Sequence, residues 1–149
     1  MQRRKNRRYL IEKEKPEDDS KFIKQINELS ENLFYISETD AEIRPFVGKK
    51  AEAVTGEEIL SQLGKVKEKP PIEEGEFFEL FGQLTEIQDW FGDEEKETAE
   101  KFKKLKDYLE KNLKDIKVFK IGKIELDLYV VGLGAGGKLM GIQTKAVET

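Results

Sequence analysis

Apolar side chains recur at helical spacing in two parts of the chain and at alternating spacing near its C-terminal end. Phe22, Ile26, Leu29 and Leu33 step by four, three and four, which predicts one core-facing helical stripe with Asp19 or Ser20 as its N-cap. A second stripe, Phe102, Leu105, Leu109 and Leu113, belongs to a helix expected to begin at Asp93. There Asp93, Glu94 and Glu95 lie at the positive end of the helix dipole. Three strands are predicted next: Val118–Ile121, then after a Gly122-Lys123 turn Ile124–Val131, then Met140–Val147. Ile124, Leu126, Leu128 and Val130 would share one face, with Glu125 and Asp127 beginning the other. Connections this short make the strands an antiparallel meander.

The middle of the chain is less regular. After Leu33 to Ile36 the apolar pattern breaks at the polar loop Ser37-Glu38-Thr39-Asp40, followed by a short extended piece around Phe46-Val47 that Pro45 keeps from being helical. Thr55 and Glu58 have capping-box spacing ahead of Ile59, Leu60 and Leu63, which predicts a short helix stopped by Gly64. Lys65 to Gly75, with Pro70-Pro71, reads as a loop or an edge strand, and Phe77 to Phe81 as a buried helical turn ending at Gly82. The chain is therefore α+β, with its 149 residues making one domain over 19–149. Residues 1–18 alternate charge runs with few apolar side chains and are expected to form a flexible charged arm.

Composition removes most catalytic chemistry. There is no Cys and no His, so thiolate nucleophiles, disulfides, Cys/His zinc sites and imidazole-based triads are excluded. Carboxylates such as Glu125 and Asp127 could in principle serve a metal, but no base or nucleophile accompanies them, and no enzymatic activity is expected. The longest apolar run, Leu128 to Ala135, is too short to span a bilayer and is broken by Gly132 and Gly134. No hydrophobic segment of signal-peptide length follows the basic start, which suggests a cytoplasmic protein. The net charge of -4 conceals an asymmetry. Arg3, Arg4, Lys5, Arg7 and Arg8 all precede the first acid, so the body of the chain is more acidic than the total. Such a body repels nucleic acid and suits basic partners, including the basic clefts of nucleic-acid-binding proteins. The same charge also serves simply to keep a domain soluble.

Gly132 to Gly137 spells GLGAGG directly after a strand, the outline of a dinucleotide-binding turn. That fold needs a helix after the glycines, whereas Lys138 to Thr149 has the period of a strand. The glycines are read as a hairpin connection, and no cofactor is expected.

Two other stretches carry more information: Gln88-Asp89-Trp90-Phe91-Gly92-Asp93-Glu94-Glu95 and Gly141-Ile142-Gln143-Thr144-Lys145-Ala146-Val147-Glu148-Thr149. With Asn112-Leu113-Lys114, Glu125-Leu126-Asp127 and Ser37-Glu38, they resemble, in order, the nuclease A inhibitor family. The likeness is dense from Gln88 to Thr149, weaker over Phe22 to Asp40 and general in character over residues 41–87. It implies an α-β-α sandwich, with the antiparallel meander in a central sheet packed by helices. It also implies a stoichiometric, 1:1 inhibitor of a sugar-non-specific, magnesium-dependent endonuclease, without direct contact to nucleic acid. By this resemblance Glu38, Trp90 and Thr149 are the main anchors, with Thr149 reaching the partner's ion directly or through water. Asp89 would add to a negative rim, and Glu148 belongs to the same terminal surface. Because the middle and the N-terminal arm depart from the family pattern, an acidic module of the same fold that binds a different basic or nucleic-acid-binding protein is the alternative.

Overall fold

The computed structural model describes residues 19–149; the charged arm expected over residues 1–18 lies outside the described residues. The first apolar stripe forms helix α1, residues 19–29. Asp19 and Ser20 are already helical there, so neither is the cap, and the Asp19 carboxylate instead pairs with Lys138 Nζ at 2.7 Å. Leu33 falls after the helix, beyond a turn, yet is buried with Phe22 and Ile26. Strands β1 (Phe34–Ile36) and β2 (Asp40–Glu42) then make a small hairpin around Ser37 to Thr39.

Strand β3 (Arg44–Lys50) leads to helix α2 (Gly56–Gln62), where the Thr55 hydroxyl accepts the Glu58 amide at 3.1 Å as the capping spacing predicts. Edge strand β4 (Ile72–Glu76) is followed directly by helix α3 (Phe77–Thr85), which continues past Gly82. Helix α4 (Asp93–Asn112) carries the second stripe. The meander is β5 (Lys114–Gly122), β6 (Glu125–Leu133) and β7 (Lys138–Val147). Five strands form one antiparallel sheet in the order β3-β7-β6-β5-β4.

Alternation along these strands feeds two cores. Val118, Leu128, Val130, Met140 and Ile142 pack with Phe22, Phe81, Phe102, Leu105 and Leu109 from α1, α3 and α4. Phe119, Ile121, Tyr129, Val131 and Leu139 point the other way and pack with Ile59 of α2 and with Val54. The sheet therefore lies between helices, an α-β-α sandwich. The second face of β6 is polar only at its start, at Glu125 and Asp127, and is then buried. The glycine segment is a hairpin connection between β6 and β7, with Gly136 and Gly137 at φ of 71° and 75°, where a side chain would be strained. Among the described residues no helix is long and apolar enough to cross a membrane.

Candidate partner-binding site

The site is built at the end of the sheet where β5 turns into β6 and β7 runs out. Gly122 pairs with Leu126, and Glu125 pairs with Val147, so the Gly122-Lys123 turn and residues 147–149 share this end. The β1-β2 turn reaches the same place. Its Ser37 Oγ accepts the Val147 amide at 2.9 Å, and the Glu38 amide donates to the Val147 carbonyl at 3.3 Å.

Glu38 and Thr149, far apart in sequence, meet here. The Thr149 amide donates to Glu38 Oε2 at 2.8 Å, and the Thr149 hydroxyl lies 3.1 and 3.0 Å from Glu38 Oε1 and Oε2. Both residues are exposed. Glu148, next to Thr149 in the chain, points its backbone the other way: its amide donates to the Ile124 carbonyl at 2.9 Å. Its carboxylate takes Lys120 Nζ at 3.0 Å. That hydrogen bond, with the negative charge of Glu148 and against partial burial, raises the Lys120 pKa above its ordinary value. Beside it, burial raises the Tyr35 phenol, with Lys120 opposing and Glu148 adding to the shift. The Glu148 charge is thus committed within the molecule, while Thr149 and the outer side of Glu38 face solvent.

Asp89 and Trp90 occupy the turn between α3 and α4, both exposed. Trp90 is 75% exposed, the ring meeting Phe91 edge-on at 4.7 Å. The turn is held by the Phe91 amide on the Gln88 carbonyl at 3.0 Å and by the Gly92 amide on Glu95 Oε1 at 3.0 Å. Helix α4 ends at Asn112 and passes through Leu113 into β5, whose first residue pairs with Leu133 beside the glycine hairpin. Its 20 residues extend about 30 Å.

Lys120 and Ile124 were not legible as site residues. Nothing in the sequence singles out one lysine among the basic residues of β5, and Ile124 contributes through its carbonyl oxygen. Ser37 stood out only beside Glu38. Of the carboxylates considered for metal chemistry, Asp127 is occupied by Lys65 at 3.2 Å and Lys145 at 3.1 Å. A groove of about 710 Å³ opens beside this cluster, lined by Arg44, Tyr129, Gln143 and Lys145 among others. It does not include Glu38, Trp90 or Thr149.

Polar bonds thus fasten an exposed, oxygen-rich tip at one end of an α-β-α sandwich. A family model described as nuclease A inhibitor-like protein matches residues 20–149, and the chain belongs to that family. No curated protein matches the chain.

Proposed function

We propose that this protein is a stoichiometric inhibitor of a sugar-non-specific, magnesium-dependent DNA and RNA endonuclease, binding one to one by filling the nuclease's substrate cleft. The reading rests on family membership over residues 20–149 together with one observation, the hydrogen-bonded junction of Glu38 and Thr149 at an exposed end of the sheet. A cleft that binds a phosphodiester beside a divalent cation selects oxygen and negative charge. Thr149 supplies hydroxyl oxygen, a donor type that hard cations such as magnesium prefer, directly or through water, and the ion itself belongs to the partner. Glu38 adds a carboxylate beside it for a basic residue that otherwise grips phosphate.

Trp90 supplies the apolar anchor, since a large, exposed, amphipathic ring is the residue type most often found at the energetic centre of an interface. Asp89 and the acids that open α4 speed encounter with a basic cleft more than they tighten the complex. Glu148 contributes mainly by keeping its segment on Lys120. No catalytic step is assigned to this chain, because its central carboxylate, Asp127, is paired with two lysines. The acidic body disfavours nucleic acid as a direct ligand. A cytoplasmic site of action accords with the cysteine-free composition.

The test is cleavage of DNA and of RNA by such an endonuclease in the presence of the wild-type chain, Trp90→Ala and a chain lacking Thr149. Wild type is expected to abolish cleavage at equimolar protein. Trp90→Ala is expected to weaken inhibition about thirtyfold, the equivalent of about 2 kcal/mol. Deletion of Thr149 should cost at least as much, with folding unchanged in both. Equal potency of all three would remove the docking surface, and undiminished cleavage with wild type would remove the function.

A further inference from the structure

Among the described residues no strand neighbours residues 147–149 on one side, and the β1-β2 turn takes that place with side-chain and backbone groups. Ser37 Oγ accepts from the Val147 amide, the Glu38 amide donates to the Val147 carbonyl, and the Glu38 carboxylate accepts both the amide and the hydroxyl of Thr149. The clip is itself braced, since the Ser37 amide donates to the Thr39 carbonyl at 2.9 Å. From the opposite side Ile124 and Lys120 hold Glu148. Alternate residues are thus fastened to alternate sides, as an extended chain requires.

We infer that Ser37 and Glu38 are positioning residues: they fix the Thr149 tip in its docking conformation before any partner arrives, Glu38 by bonding Thr149 and Ser37 by bonding Val147. This rests on the reading of the tip as the docking element. A frayed tail loses its conformational freedom on binding, whereas a clipped one has already lost it, so the clip raises affinity without touching the partner. Each Glu38 oxygen has two lone pairs, so holding Thr149 leaves acceptor capacity for a partner's cation. Glu38 thus positions Thr149 in addition to meeting the partner. Ser37, whose hydroxyl faces the protein's own chain, matters although it offers little to a partner.

Two measurements on the full chain decide it. In the free protein, backbone NMR order and amide exchange at Val147 and Thr149 are compared among wild type, Ser37→Ala, Ser37→Thr and Glu38→Ala. Ser37→Ala is expected to free Val147 and Glu38→Ala to free Thr149, with the amides of Leu128 and Val130 unchanged and Ser37→Thr like wild type. In the inhibition assay, Ser37→Ala should weaken potency roughly three- to tenfold, as loss of one modest hydrogen bond allows. Glu38→Ala combined with removal of Thr149 should cost less than the sum of the two separate losses, because part of the Glu38 effect acts through Thr149. Unaltered order at residues 147–149 in both alanine variants, or strictly additive losses, would overturn the inference. If the wild-type chain inhibits no nuclease, the functional reading falls, while the NMR comparison still decides whether the clip exists.

Discussion

At the scale of single residues, the polar side chains divide into those spent on the molecule and those left for a partner. Asp127 belongs to the first group. Burial alone would raise its pKa, but hydrogen bonds from Lys145 and Lys65, with their charges, outweigh this and hold the carboxyl below the ordinary aspartate value. A carboxyl whose pKa is lower folded than unfolded contributes stability above its unfolded pKa, near 3.9, and that contribution is lost as pH falls through the folded value. Asp127→Asn, which keeps the shape and removes the charge, should therefore be less stable than wild type at pH 7 by about 0.5–1 kcal/mol. Below about pH 4 the difference should shrink toward zero in denaturant melts. A gap that stays constant across pH would mean that the lysine pairs contribute nothing. Gly141 shows a different use of a residue: a methyl group there would run into the Val130 carbonyl oxygen, so this glycine of the terminal stretch serves strand pairing and not the partner. Trp90 and Thr149 could be named through the family resemblance, since a single indole and a last residue are by themselves unremarkable. The lysine that holds Glu148 could not be named, since Lys120 looks like any other strand lysine.

At the scale of elements, periodicity was readable where an element is long and decays where it is short. Helix α4 spans 20 residues with acids in its first turn, and its stripe of Phe102, Leu105 and Leu109 is buried as the spacing requires. Leu105 is fully buried, so Leu105→Ala should destabilise the protein by about 2–5 kcal/mol, measured by chemical denaturation. A loss well under 1 kcal/mol would contradict the assignment of α4 to the core. The β1-β2 hairpin escaped detection because strands of three residues are too short to display alternation, and its polar turn resembles any loop. Strand β6 misled differently. Its first acids suggested one solvated face, but α2 covers the later positions, so Tyr129 and Val131 are as buried as Leu128 and Val130. A strand buried on both faces reads as a continuous apolar run, and Tyr129-Val130-Val131 is one.

For the whole molecule, the sandwich is a stand for one end of its sheet. Two cores make β5, β6 and β7 stiff, and the β1-β2 turn fastens the last residues of β7. The acidic surplus of the whole chain, 31 Asp and Glu against 27 Lys and Arg, suits a basic cleft. The central claim is that this end takes the place of nucleic acid in such a cleft. It is tested most directly by displacement: a fluorescent oligonucleotide is bound to the endonuclease under conditions that prevent cleavage, and the protein is titrated in while anisotropy is read. The account predicts that the oligonucleotide is released completely, with the end point at one protein per nuclease. Anisotropy that stays at its bound value past that point would show that the protein does not occupy the cleft, and would contradict the account.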